Sequence, residues 1–178
     1  MDDQMDGNLE LVKNAVKFTH EREHAEGGFT LYQNNPDTKN TYYGVKILRL
    51  FNEEPYNKKN TIEWIKSLQK NRLFAIQGLF YRINILKYFK RKIFLPESNK
   101  LELSSISNFK TIEIAYFYLV VSKLLGLDNL TKIKKWILKY QNADGGFGVH
   151  RSDVESTCYA IQSINYLEPS SIPRKNSV

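Results

Sequence analysis

The chain has 178 residues, a formal net charge of +7 and a hydrophobic content of 42%. It is long enough to bury one substantial core, but it contains no apolar run of the roughly 18 residues that indicate a membrane-spanning helix. The single cysteine, Cys158, excludes an intrachain disulfide and is typical of a reducing compartment, so a cytoplasmic location is expected. The positive charge alone does not indicate a nucleic-acid partner, because no recognised nucleic-acid-binding module is present.

The chain begins with a polar segment, residues 1–8, that carries Asp2, Asp3 and Asp6. It lacks the apolar core of a signal peptide, and we predict a polar tail. An outer helix is expected to follow and to end before Gly27.

At the expected end of that helix, residues 20–24 read His-Glu-Arg-Glu-His and match the His-Glu-x-x-His motif of zinc hydrolases. On a helix, His20 and His24 share a face and could bind zinc, with Glu21 as general base. The third histidine of the extended motif would fall on Thr30, and the stretch lies just before a chain reversal. We therefore interpret it as a polar helix end and assign no metal, with a zinc hydrolase as a remote hypothesis.

Two segments, residues 24–51 and 141–167, share one pattern. Each has an acidic residue before Gly-Gly-Phe, then a polar loop, then Thr-x-Tyr at the start of an apolar run. One of Gly145 and Gly146 is expected to take a positive φ, and Phe147 is expected to be buried.

The pattern continues between these segments in weaker form. The apolar runs align at Thr41, Leu79, Ala115 and Thr157, in steps of 38, 36 and 42 residues, and Trp64 and Trp136 lie 72 residues apart in a second register. Such recurrence indicates a repeat architecture. We predict an all-α fold of four helical hairpins, each pairing a half-exposed outer helix with a buried inner one, although the third outer helix, near residues 98–108, is barely recognisable.

Two threonines open the clearest inner helices. Thr41 and Thr157 follow polar loops, and we predict them as N-caps or first-turn residues. The repeats are expected to form one domain, residues 9–168, followed by a polar C-terminal tail, residues 169–178.

The last repeat points to a family. Residues 141–164 read Gln-x-x-Asp-Gly-Gly-Phe-Gly, a polar loop, and then Ser-Thr-x-Tyr-Ala-Ile-x-x-Ile. This resembles the repeats of protein prenyltransferase β subunits and is similar to the QW-type repeats of squalene and class II diterpene cyclases. The resemblance implies an (α/α) toroid whose inner helices surround an isoprenoid cavity. About four hairpins would form a partial or small toroid, so a homodimer or a second subunit is expected to cover the open ends.

The catalytic residues that the resemblance implies are missing. Prenyltransferase β subunits bind zinc through Asp, Cys and His; Cys158 matches the Thr-Cys-Tyr context, but Ser156 stands where the histidine belongs. The Asp-x-Asp-Asp acid of the cyclases has no counterpart on a predicted inner helix. An isolated active enzyme is therefore not expected, and no catalytic residue is assigned.

Ligand binding remains a hypothesis from the same resemblance. Tyr43, Tyr81, Phe117 and Tyr159 on the inner helices are predicted to line a cavity for an isoprenoid diphosphate or another apolar ligand. The predicted diphosphate contacts are Lys87, Lys90 and Arg91. No cofactor is predicted, apart from magnesium accompanying a diphosphate. Core packing of the aromatic rings and capping of a helix end by the cations are the alternatives at the level of residues. A non-catalytic scaffold that binds a protein or peptide is the alternative function.

Overall fold

A computed structural model describes residues 2–32, 35–68, 76–93, 103 and 109–168. These residues form seven α-helices and only isolated β-bridges, which confirms the all-α class. In chain order the helices are α1 (Asp2–His20), α2 (Thr38–Leu50), α3 (Lys58–Ser67), α4 (Ile76–Tyr88), α5 (Ile112–Leu125), α6 (Leu130–Leu138) and α7 (Val154–Leu167). None of these helices is both long and apolar enough to cross a membrane.

The chain divides into two compact units, Met1–Ile93 and Phe94–Val178. In the first unit α2 packs on α1 and α4, and α3 also contacts α4; in the second unit α5, α6 and α7 pack on one another. The single domain at residues 9–168 stays a prediction. Helix α1 begins at Asp2, so residues 2–8 form its first turns. The predicted tail at residues 169–178 lies outside the described residues.

The helix starts reproduce the predicted repeat. The inner helices α2, α4, α5 and α7 begin at residues 38, 76, 112 and 154, in steps of 38, 36 and 42 residues. The outer helices α3 and α6 begin at residues 58 and 130, which are 72 residues apart. These spacings equal those read from the sequence. The expected outer helix near residues 98–108 falls outside the described residues, apart from buried Leu103.

The inner helices are buried as predicted, with one exception. Helix α4 buries seven residues and α5 another seven, whereas α7 buries only Ala160 and Ser163. Its sequence is as apolar as that of an inner helix, but much of its surface is exposed. Burial of an inner helix requires neighbours on both flanks, and this explains why α7 departs from the expectation.

Acidic and hydroxyl side chains cap α2, α5 and α7. Asp37, Thr111 and Asp153 each accept a hydrogen bond from the backbone N–H three residues on, at 2.8, 3.2 and 2.7 Å respectively. Such caps satisfy amides that have no partner within the helix. Thr41 and Thr157 lie four residues after their caps, so the first-turn alternative is confirmed and the N-cap alternative is wrong.

Those two threonines hold the Gly-Gly-Phe corners. The Thr41 Oγ1 accepts the backbone N–H of Phe29, and the Thr157 Oγ1 accepts that of Phe147, at 2.9 Å in both corners. Both phenylalanines are buried, which confirms the prediction for Phe147. The hydroxyl therefore ties the end of the corner to the start of the inner helix.

The glycines supply the backbone conformation of the corners. Gly145 has φ of 85°, while Gly27 and Gly28 have φ of 103° and 82°. Residues with a Cβ rarely adopt this left-handed region. The predicted positive φ is thus confirmed at Gly145.

Candidate functional site

The four predicted aromatic residues share one position of the repeat. Tyr43, Tyr81, Phe117 and Tyr159 are each the sixth residue of an inner helix. Within the first unit the ring centroids of Tyr43 and Tyr81 are 6.2 Å apart, and within the second those of Phe117 and Tyr159 are 6.0 Å apart. The structure therefore brings the predicted residues together as one pair in each unit.

Tyr42 connects the aromatic cluster of the first unit. Its ring lies 5.1 Å from that of Tyr43, 5.8 Å from Phe80, 5.3 Å from Tyr81 and 6.1 Å from Tyr88, measured between centroids. Tyr81 is buried, whereas 44% of Tyr43 is exposed. The cluster is thus a packed aromatic wall with an accessible ring at Tyr43. Aromatic pairs in this distance range stabilise one another beyond the area that they bury.

The second unit contains the matching cluster. The Tyr116 ring lies 5.4 Å from that of Tyr159, as Tyr42 lies from Tyr81 in the first unit. The Tyr159 hydroxyl donates to Glu113 Oε1 at 3.3 Å, which gives this cluster a polar end. The two clusters therefore follow the same repeat register.

A cation joins the far ends of the paired inner helices in both units. Arg49 Nη1 donates to the Tyr88 carbonyl at 3.2 Å and its guanidinium lies 5.1 Å from that ring. Lys123 Nζ donates to the Tyr166 carbonyl and lies 4.4 Å from that ring. Both cations are twelfth in their helix and both tyrosines thirteenth, so the paired helices run parallel. Burial raises the pKa of Tyr166.

The predicted diphosphate contacts lie at the C-terminal end of α4. Lys87, Lys90 and Arg91 are all exposed. Lys90 has φ of 53°, and the Arg91 N–H donates to the Leu86 carbonyl at 2.9 Å, as in a helix-terminating Schellman motif. Six residues of helix separate Tyr81 from Lys87, a rise of about 9 Å. The cations thus form a basic edge beyond the aromatic cluster and also end the helix.

The His-Glu-x-x-His motif is not arranged for zinc. Helix α1 ends at His20, so His24 lies in the loop and does not share a helical face with it. His20 Nδ1 donates to Glu23 Oε1 at 2.6 Å, and its ring stacks on Tyr56 at 3.8 Å. His24 Nδ1 accepts the Glu26 N–H at 3.2 Å. The described contacts assign both histidines to corner structure.

Glu23 explains why this stretch is polar. Its Oε1 accepts the Tyr56 N–H at 3.0 Å and its Oε2 accepts the Asn57 N–H at 2.9 Å. One nearly buried carboxylate therefore connects the end of α1 to the start of α3.

Ser156 and Cys158 lie in the first turns of α7, at the segment that the resemblance aligned with His-Thr-Cys-Tyr. Cys158 is exposed and its Sγ accepts from Gln162 Nε2 at 3.1 Å. Hydrogen bonds from Ser156 lower the pKa of Asp153. Within the described ranges no three His, Cys, Asp or Glu side chains are grouped as a metal site would need.

Two surface cavities were not predicted. One, of about 470 Å³, lies between α1 and the segment after α2, with Val16, His20, Phe51 and Tyr56 among its lining residues. Its only signal in the sequence was the apolar spacing on α1, because Tyr56 lies in a loop without a periodic pattern.

The other cavity is a shallow groove of about 550 Å³ along α7. It is lined mainly by apolar atoms, including those of Val154, Cys158 and Ile161. These residues follow helical spacing and were expected to be buried with the rest of the inner helix. Their exposure depends on a missing neighbour, which helical periodicity does not report.

Comparison with known proteins identifies a family for this chain. The family model for the prenyltransferase alpha-alpha toroid domain matches residues 3–150 and, in an overlapping match, residues 80–177. No curated protein and no solved structure matches the chain. The two matches together span nearly the whole sequence, and the seven helices in the described residues have the predicted hairpin spacing. The chain therefore belongs to the prenyltransferase alpha-alpha toroid domain family.

Proposed function

We propose that this protein holds an isoprenoid or another apolar ligand against the aromatic residues of its inner helices. The observation that carries the proposal is the recurrence of one aromatic pair, at one helix position, in both units: Tyr43 with Tyr81, and Phe117 with Tyr159. Tyr43 supports it further, since a half-exposed ring beside a buried cluster gives a flat apolar surface that a chain can contact.

The energetics allow useful affinity. A chain of 15 carbons gains about 0.8 kcal/mol for each CH₂ that it buries, or about 12 kcal/mol before the costs of ordering. Micromolar binding requires about 8 kcal/mol, so part of the chain can remain exposed. Lys87, at the start of the basic edge, lies about 9 Å along the helix from Tyr81, within reach of a diphosphate on such a chain.

Thermal-shift titration with farnesyl diphosphate, geranylgeranyl diphosphate and farnesol tests the proposal. A ligand that binds only the folded chain stabilises it by about 2.7 kcal/mol at 100 times its Kd. We expect both diphosphates to raise the melting temperature and farnesol to raise it less. Repeating the titration with magnesium shows whether the cation accompanies the diphosphate.

Matched variants distinguish the residues that contact the apolar chain of the ligand from those that contact its diphosphate. Tyr43→Ser should weaken all three ligands, whereas Tyr32→Ser, which changes an exposed tyrosine outside the helices, should weaken none. Joint Lys87→Gln and Arg91→Gln substitution should weaken the diphosphates and leave farnesol unchanged. The control is the same change at Lys132 and Lys135 of α6, which are also exposed. Equal effects of test and control variants would contradict the assigned contacts.

A scaffold that binds a protein is the second candidate function. The observation that favours it is the exposed apolar groove on α7, with 88% of Val154 and 45% of Ile161 accessible. If none of the three ligands shifts the melting temperature of the folded protein, the scaffold replaces the ligand holder.

A further inference from the structure

Three positions of an inner helix lie on one side of it at helical spacing. In α5 these are the first, fifth and eighth residues, Ile112, Tyr116 and Leu119. Ile112 and Leu119 are buried, and Tyr116 packs on Tyr159 of α7. We name these three positions the forward face of an inner helix.

The helix that follows presents a different set. In α4 the sixth and thirteenth residues, Tyr81 and Tyr88, contact Tyr42 of α2. In α7 the same positions are Tyr159 and Tyr166, which contact Tyr116 and Lys123 of α5. We name the sixth and thirteenth positions the rear face.

In the part of the chain that the structure describes, the forward face of α7 and the rear face of α2 are exposed. The forward face of α7 consists of Val154, Cys158 and Ile161, which line the groove described above. The rear face of α2 consists of Tyr43 and Leu50, and 71% of Leu50 is exposed. The exposed residues thus occupy the forward positions on α7 and the rear positions on α2.

Polar groups on these faces also match. Within the second unit the Tyr159 hydroxyl, at the sixth position, donates to Glu113, at the second position of the helix before. At the exposed faces the same two positions hold Tyr43 and Glu155. A hydrogen bond from Tyr43 to Glu155 would therefore repeat a contact that the fold already makes.

Carboxylates lie beside the forward face of α7, together with Arg151, and lysines lie beside the rear face of α2. Asp153 and Glu155 are exposed at the start of α7, and Lys39 and Lys46 are exposed on α2. Opposite charges favour encounter of these surfaces over contact of either surface with a copy of itself.

We propose that the forward face of α7 in one copy binds the rear face of α2 in a second copy, so that chains associate head to tail. The occupant is another inner helix because the exposed positions of α7 are those at which α5 buries Ile112 and Leu119 and packs Tyr116 on α7. A second copy supplies it because α2 presents the receiving positions with matching polar groups. Such a heterologous contact either closes into a ring or extends into a chain of copies.

Cross-linking of single-cysteine chains tests this arrangement. Wild-type protein, with Cys158 alone, is mixed with a Tyr43→Cys, Cys158→Ser variant and treated with a short bis-maleimide. We expect a cross-linked pair containing one chain of each kind, with residue 43 joined to residue 158 in its peptides. Each protein treated alone should not cross-link. Leu11→Cys, Cys158→Ser places an exposed cysteine on α1 and should not link to wild type.

Light scattering supplies an independent measurement. Wild-type protein should exceed the monomer mass, and Glu155→Lys should lower that mass at the same concentration. Glu63→Lys, which changes an exposed carboxylate of α3, should leave it unchanged. A wild-type protein that stays monomeric, or a link between two Cys158 residues, would overturn the proposal. So would an intramolecular 43-to-158 link in a third variant, Tyr43→Cys with Cys158 retained.

Discussion

Gly27 and Gly145 occupy the same position in the two clear corners but have different surroundings. In each corner the glycine N–H donates to the carbonyl three residues before it, His24 in the first and Asn142 in the last. Both glycines have positive φ, 103° and 85°. Substitution by alanine at each position therefore separates two contributions to the loss of stability. One is the strain of a left-handed backbone at a residue with a Cβ, and the other is steric overlap between that Cβ and its neighbours.

The structure predicts a different loss of stability for each of the two substitutions. An alanine Cβ at position 145 meets no described atom within 4 Å, so Gly145→Ala should lower the free energy of unfolding by about 1–2 kcal/mol through the left-handed conformation alone. At position 27 the Cβ would lie 2.4 Å from the carbonyl group of Asn60, in the backbone of α3. Overpacking adds about 1–3 kcal/mol, so Gly27→Ala should cost about 2–5 kcal/mol.

Urea titration followed by far-ultraviolet circular dichroism measures both variants. Gly126→Ala is the matched control, because Gly126 has φ of 68° and an alanine Cβ there would also meet no described atom within 4 Å; its cost should resemble that of Gly145→Ala. If Gly27→Ala and Gly145→Ala cost the same, the docking of α3 on the first corner would be refuted.

Three further outcomes follow from the described contacts. Lys90→Gly should stabilise the protein by about 1 kcal/mol, because Lys90 has a left-handed φ, whereas Lys87→Gly within the helix should cost about 1 kcal/mol; thermal melts compare them. His20→Ala should cost about 1–2 kcal/mol through the lost Glu23 hydrogen bond, and a chelator should leave the stability of wild-type protein unchanged; stabilisation by stoichiometric zinc would contradict this. The pKa of Asp153 is lowered in the fold, so its carboxylate stabilises the folded state above the ordinary carboxyl pKa, and this stabilisation is lost as pH falls through the lowered pKa. The difference in stability between wild type and Asp153→Ala should therefore shrink in acid.

The repeat could be predicted from sequence because short segments encode it. Gly145 and Phe147 lie within one corner, and Thr157 holds that corner through a contact ten residues along the chain. The helix starts could also be predicted from local sequence, because in α2, α5 and α7 the aligned apolar run begins at the same distance from the residue that caps the helix. The capping aspartates Asp37 and Asp153 were missed because they lie eight and six residues beyond their phenylalanines, which hides the correspondence in a direct comparison of the loops.

The site was less accessible to sequence analysis than the fold. The pairing of Tyr43 with Tyr81 could be expected from their common register, but the connecting role of Tyr42 required the orientation of its ring. Exposure of α7 could not be read at all, because Val154 and Ile161 have the spacing of buried residues and only a neighbouring helix would bury them. Helical periodicity indicates which face of a helix is apolar. It does not indicate whether another element covers that face.

The same distinction explains how the Gly-Gly-Phe corner can form without a histidine at position 156, where the resemblance implies one. Thr157 and Phe147 remain because they make the contact on which the corner depends. The cap of this helix does not require a particular side chain at position 156, because the carboxylate of Asp153 accepts its hydrogen bond from the Ser156 backbone N–H. Cys158 is likewise exposed and makes no contribution to the buried core. Residues that would bind zinc can therefore change while the hairpin keeps its geometry. Membership of the family consequently specifies the arrangement of the inner helices, and their exposed faces and aromatic clusters specify which ligand and which partner should be tested.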